Sequence, residues 1–169
     1  MKITRIEKQL KEAEDYAYLL LARRDHSCRE IYDRLKIKKF PDELIQKVLD
    51  KLVRSDYVND YKFAVQWINN RLKEKPRGEK LIRQELFRKG INKEIIDRAI
   101  REEFSRQVPQ ELELAKRALQ KKLPGYKKLA KLVASRRAKS FLVRRGFSYE
   151  TAEKLTRALF DKNKLDYTD

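Results

Sequence analysis

The sequence predicts an all-α fold: three tandem three-helix repeats arranged as an elongated, curved array. Three observations predict it. Charged residues make up 41% of the 169, and only 4 Gly and 4 Pro interrupt them. That mixture favours helix, because Lys, Glu, Arg and Leu propagate it while Gly and Pro break it. Apolar residues recur at helical spacing along the chain. Finally, the chain matches itself at fixed offsets, the mark of a repeat array. A hydrophobic share of 41% is also too high for a disordered chain of this charge.

Residues 1–14 read as a helical lead, with Ile3, Ile6, Leu10 and Ala13 at helical spacing, running into the first helix. That helix carries Tyr16, Ala17, Leu20 and Leu21 on one face and is expected to stop near Asp25 and His26. Ser27-Cys28-Arg29-Glu30 is a capping box, in which serine oxygen and glutamate satisfy free N–H groups reciprocally. A second helix follows with Ile31 and Leu35. Pro41, whose φ suits a first helical turn, opens a third helix presenting Leu44, Ile45, Val48, Leu49 and Leu52.

Asn59-Asp60 is the next helix-start signal, and Pro76 and Gly78 break that unit's first two helices apart. Its second helix, RGEKLIRQELFRKGI at 77–91, puts Ile82 and Leu86 on one face. Gly90 follows its last turn, where a left-handed backbone costs glycine nothing, and Ile91 folds back on the final turn. A third unit begins at Pro109. There Pro124-Gly125 supplies the break, Tyr126 to Arg145 is expected to run as one long helix, and Ser148 caps the last helix. The Asn163–Asp169 tail is expected to fray. The repeats are thus expected at 15–60, 61–109 and 110–169, after the 1–14 lead.

Sliding the first unit by 51 residues superposes Ile31 on Ile82, Leu35 on Leu86, Phe40 on Ile91, Glu43 on Glu94, Ile45 on Ile96, Val48 on Ala99, Leu49 on Ile100 and Val53 on Phe104. A slide of 107 adds Ala138, Leu142, Phe147, Glu150, Ala152, Leu155 and Phe160. The first helices align as Tyr16/Phe63/Leu114, Ala17/Ala64/Ala115, Leu20/Trp67/Ala118 and Leu21/Ile68/Leu119. Any two amphipathic helices align in some register, but this one also superposes the stops, Gly90 on Gly146. Lys39 stands in that glycine column, so the first unit must end otherwise or accept strain.

Forty-three basic residues against 26 acidic leave +17. Solubility or heat tolerance would enrich both signs and leave the balance near zero, so the surplus points to a polyanionic partner. It rises along the chain, from +2 over 1–60 to +5 over 61–111 and +10 over 112–169. No acidic residue falls between Glu113 and Glu150. A solvated helix face normally mixes signs, since like charges one turn apart repel. The charge distribution nominates Arg71, Lys73, Arg77, Lys80 and Arg83, then Lys116, Arg117, Lys121, Lys122, Lys127, Lys128, Lys131, Arg136, Arg137, Lys139, Arg144 and Arg145, with Tyr126 beside the lysine pair as a base-stacking candidate. Trp67 shares a column with Leu20 and Ala118 and reads as core. Tyr149 and Tyr167 also invite a stacking reading.

Enzyme classes fare badly. His26 and Cys28 give neither helical metal-ligand spacing nor a nucleophile–base–orienter set, and there is no P-loop or Gly-rich phosphate fingerprint. Glu43, Glu94 and Glu150 complement helix dipoles. No cofactor or metal is expected. One cysteine forbids an intrachain disulfide, and the start MKITRIEKQLKEAED has no apolar signal core. A soluble, cytoplasmic monomer without membrane contact is the expectation.

The tandem three-helix pattern, Asp60-Tyr61-Lys62-Phe63-Ala64, RGEKLIRQELFRKGI, Ser27-x-x-Glu30 and Arg144-Arg145-Gly146-Phe147-Ser148 together resemble the RecX family, over about Tyr16 to Leu159. Lys39 and Lys62 depart from its pattern. The resemblance implies a negative regulator of the RecA recombinase, lying in the groove of the RecA–DNA filament, limiting its growth and restraining strand exchange and the co-protease signal. DNA, single- or double-stranded, would be met electrostatically. The competing reading is a stand-alone DNA-binding protein of tandem helix-turn-helix-like units. No copy gathers base-reading Asn, Gln and Arg at a helix start, which counts against it.

Overall fold

The computed structural model describes residues 4–107 and 111–160, and the regular structure among them is helical throughout. The helices are α1 (Arg5–Leu21), α2 (Cys28–Ile37), α3 (Asp42–Arg54), α4 (Asp60–Lys73), α5 (Glu79–Arg88), α6 (Lys93–Gln107), α7 (Glu111–Gln120), α8 (Leu123–Lys127), α9 (Lys131–Arg144) and α10 (Tyr149–Phe160). They form two compact units. The first comprises Met1–Gln66 with Leu86–Ala99, the second Trp67–Glu85 with Ile100–Asp169.

Helix starts follow side-chain chemistry. Ser27 accepts from the Glu30 N–H while Glu30 reaches back to the Ser27 N–H, completing the expected capping box. Thr4 and Glu7 make a second box, and α1 then runs unbroken through the lead to Leu21. Asn59 accepts from the Tyr61 and Lys62 N–H groups at the start of α4. Asn92 does the same for Ile95 before α6, and Ser148 for Thr151 before α10.

The ends of α2, α5 and α9 share one geometry. In each, the N–H two residues beyond the last turn returns to the carbonyl of the buried leucine: Phe40 to Leu35, Ile91 to Leu86, Phe147 to Leu142. The residue between is left-handed every time, with φ of 66° at Lys39, 77° at Gly90 and 85° at Gly146. Lys39 therefore takes the glycine conformation and accepts a strain of about 1–2 kcal/mol. The repeat is sufficiently favoured by packing to override the local preference.

In the first unit α1, α2 and α3 enclose Ala13, Ala17, Ile31, Leu35, Ile45, Val48, Leu49, Leu52 and Val58. Ser27 Oγ donates to the Lys89 carbonyl at 2.6 Å, Lys89 Nζ meets Glu30 at 2.7 Å, and the Cys28 N–H donates to Asp60 at 2.9 Å. These bonds tie the start of α2 to the starts and ends of its neighbours. In the second unit α10 packs mainly on α9 and also on α7. Leu114, Ala115, Leu119, Ala138, Leu142, Phe147, Ala152, Leu155 and Phe160 are buried there. Glu111 at the head of α7 accepts from the Ser148 N–H, the Ser148 hydroxyl and Thr151 at 2.5–2.7 Å. Thr156 fills the column of Leu49 and Ile100, its hydroxyl satisfied by the Ala152 carbonyl.

The alanine column Ala17/Ala64/Ala115 is fully buried, as are Leu35, Leu86 and Leu142. Trimming one such leucine to alanine costs about 2–5 kcal/mol.

Four expectations need correction. Tyr126 to Arg145 is not one helix. Pro124 sits in the first turn of α8, where a proline is tolerated, and the chain turns at 128–130 before α9 begins. The turn lets α8 fold against α9 and α7, instead of extending a helix with lysine on successive turns. Helix one ends at Leu21 rather than near Asp25. Pro41 precedes α3 as its N-cap residue. Val53 is exposed although its column partner Phe160 is buried. Pro109, Tyr167 and the tail lie outside the described residues.

Candidate nucleic-acid interface

The second unit contains a cleft of about 540 Å³ lined by the end of α4 and the loop after it, the end of α7 with the turn after it, and the end of α9. Among the described residues its cations are Lys73, Lys75, Arg77, Arg117, Lys121, Lys122 and Arg145, Glu74 is its lone carboxylate, and Pro76, Ala118 and Phe141 give it an apolar floor. Seven positive groups against one negative make it a phosphate-type environment.

Backbone contacts shape the cleft. The Arg117 guanidinium donates to the Lys73 carbonyl at 2.7 Å, fixing the end of α7 against the last turn of α4. The Gly78 N–H donates to the Arg145 carbonyl at 2.9 Å. A Cβ on Gly78 would lie 2.1 Å from the Gly146 carbonyl oxygen, and one on Gly146 2.5 Å from Leu81. Both glycines are thus required by close approach, and Gly146 by its φ as well. The loop that carries Arg77 is pinned to the helix end that carries Arg145.

Behind this loop, Glu85 gathers three partners. Its carboxylate accepts from Trp67 Nε1 at 2.8 Å and Arg71 Nε at 2.8 Å, and also pairs with Arg77. The Arg71 guanidinium stacks 4.1 Å from the Trp67 ring centre. Burial lowers the Arg71 pKa, and burial together with repulsion from Arg71 and Arg145 lowers that of Arg77. Arg77 Nε is buried with no hydrogen-bond partner among the described residues.

Six nominated cations therefore come together: Lys73, Arg77, Arg117, Lys121, Lys122 and Arg145. Arg71 stands behind them on Glu85. Arg83 pairs with Glu79, Lys116 with Glu113 and Lys139 with Glu153. Lys80, Lys127, Lys128, Lys131, Arg136, Arg137 and Arg144 are exposed and do not line the cleft, nor does half-buried Tyr126. Tyr149 is exposed with the Lys139 ammonium 5.3 Å from its ring. Lys75 was missed, being flanked by Glu74 and Pro76 in a loop. So was Glu85, whose role depends on a half-buried Trp67 with a polar handle rather than on the core reading of that column.

Elsewhere, the Cys28 thiol is pushed up to about 12 by burial and by Asp60 and stays protonated at neutral pH. Burial lowers the pKa of His26, whose Nδ1 lies 2.8 Å from the Arg24 carbonyl. Among the described residues no group of His, Cys, Asp and Glu could hold a metal ion, and no helix is long and apolar enough to cross a membrane.

Family models for the first, second and third three-helix domains of RecX match residues 13–52, 59–100 and 109–156. A regulatory protein RecX of Chlorobium limicola is 31% identical over 149 residues, covering 88% of this chain and 90% of that protein. The chain belongs to the RecX family. That makes it a member of a family of regulatory proteins. A second RecX, from Chlorobium phaeobacteroides, is 40% identical over 87 residues, but the matched stretch spans only 52% of this chain and 58% of that relative's length. The fold is likewise similar to a crystal structure of RecX from Lactobacillus salivarius, with a TM-score of 0.73 at 20% identity over 90% of this chain and 97% of the other.

Proposed function

We infer that this RecX-family protein is a non-enzymatic negative modulator of the RecA recombinase, acting on the filament that RecA forms on DNA. The observation that carries the reading is the cleft of Lys73, Lys75, Arg77, Arg117, Lys121, Lys122 and Arg145. In a protein of regulatory family, a cluster this uncompensated supports contact with the phosphates of a nucleoprotein assembly. Bidentate guanidinium groups at Arg117 and Arg145 and point charges at the lysines suit phosphodiester oxygens of any sequence. The role is to occupy filament-bound DNA and its groove and so limit growth, strand exchange and the co-protease signal, in DNA repair and the SOS response of the cytoplasm.

Contact with six phosphates of a duplex would give log affinity a slope of roughly −5 against log salt, and contact with a single strand about −4. The test is to add the protein to RecA filaments on single-stranded DNA and follow ATP hydrolysis. Inhibition well below the concentration that coats bare DNA is expected. Equal potency on bare DNA and filament would instead favour a stand-alone DNA-binding protein.

A further inference from the structure

Helix α9 carries a second surface that the cleft does not use. Leu132 is 72% exposed, Val143 44% and Val133 42%. At about 100° per residue, Leu132, Arg136 and Val143 fall within an arc of about 40°, and Val133, Arg137 and Arg144 form a parallel row about 100° further round the same exposed side. Phe141 and Arg145, which face the cleft, lie roughly opposite the first row on the same helix. Helix α9 is 14 residues long, about 21 Å, and has no acidic residue. None of Arg136, Arg137 and Arg144 pairs with a carboxylate among the described residues. Lys139 is the cation of α9 held within the chain, by Glu153.

We propose that the α9 ridge of Leu132, Val133, Arg136, Arg137, Val143 and Arg144 docks an acidic amphipathic helix of a partner protein. Charge complementarity selects the sign, since three guanidinium groups stand unanswered on the face. The aliphatic groups select the class. A phosphate backbone gains nothing from covering Leu132 and Val133, whereas a helix with apolar residues at i, i+4, i+7 and i+11 buries them between carboxylates that reach the arginines. A lipid surface favours a wider apolar face with aromatic residues at its edge, and this ridge offers one leucine and two valines. None of the ridge residues lines the cleft, so the second unit can hold nucleic acid and protein together, which goes beyond the filament reading and does not depend on it.

The test uses the full chain and a fluorescein-labelled peptide of about 18 residues, with leucine at i, i+4, i+7 and i+11 and glutamate at most other positions, against the same composition scrambled. Anisotropy should show the patterned peptide binding at least about tenfold more tightly than the scrambled one. Leu132→Ser with Val143→Ser should remove that difference, with binding of a single-stranded oligonucleotide unchanged. Both positions are exposed, so the fold should hold; Arg136→Glu, which leaves the aliphatic groups intact, provides an independent variant and should also weaken the patterned peptide. Equal binding of both peptides, retained binding by the double variant, or equal loss of oligonucleotide binding would overturn the proposal. Anionic vesicles binding through Leu132 and Val143 where the peptide does not would overturn it in favour of a membrane.

Discussion

Replacing Glu85 by alanine tests the structural support of the cleft. The substitution leaves two guanidinium groups and an indole N–H without their shared acceptor. Side-chain exposure is 11% for Glu85, 17% for Arg71 and 24% for Arg77, so the charges are largely but not wholly withdrawn from water. Breaking a fully buried pair costs about 3–5 kcal/mol, and partial solvent access reduces this to about 2–3 kcal/mol here. For a chain of this length that corresponds to a fall in Tm of about 5–10 °C. Trp67 is the single tryptophan, so its emission reports the hub directly. Glu85→Ala should alter that emission in the native state and lower the urea midpoint. Glu85→Gln, which keeps an acceptor for Trp67 but not the charge, should fall between. As control, Glu79→Ala breaks an exposed pair with Arg83 and should cost under about 0.5 kcal/mol. A Glu85→Ala protein as stable as the parent, with unchanged emission, would refute the reasoning.

Other predictions concern strain, acid and the basic surface. Lys39→Gly should stabilise by about 0.5–1 kcal/mol in denaturant titration, since relief of the left-handed backbone exceeds the entropy glycine adds to the unfolded chain. Burial alone would raise the Glu30 carboxyl, but hydrogen bonds and charge from Arg24 and Lys89 hold it near about 2, against an ordinary 4.5. Its contribution, about 1–2 kcal/mol after allowance for solvent, is present above pH 4.5 and lost as pH falls towards 2, so the stability gap between parent and Glu30→Gln should close over that window. Lys127, Lys128 and Lys131 are exposed, lie off the cleft and pair with no carboxylate among the described residues; changing all three to glutamate should weaken filament binding through the long-range field alone, by less than reversal of charges in the cleft does, and leave Tm nearly unchanged.

Most of the helical plan was legible because it depends on local chemistry and on period. The columns Leu35/Leu86/Leu142 and Ala17/Ala64/Ala115 are fully buried, and Ser27, Asn59 and Ser148 cap as their side chains allow. Lys39 showed its oddity by standing in a glycine column, although no local pattern says that it adopts the glycine geometry. The turn at 128–130 was hidden because it has no glycine or proline, while Pro124-Gly125, which looked like a break, sits within α8. For the cleft, the acid-free run revealed the sign of the charge. Which cations gather was set by the Gly78–Gly146 approach, a contact across 68 positions that no local pattern encodes. Pairing likewise separates Lys116 and Lys139, which have carboxylate partners, from Lys121 and Lys122, which have none among the described residues.

If the cleft is where this protein meets the RecA–DNA filament, reversing charge at its rim must cost potency. Lys121→Glu with Lys122→Glu reverses two exposed charges at its rim without touching the core. The decisive measurement is the concentration of this variant that half-inhibits ATP hydrolysis by RecA filaments on single-stranded DNA, with Tm measured on the same protein. A potency loss of at least about tenfold with Tm held is expected. Undiminished potency with the rim reversed would contradict it.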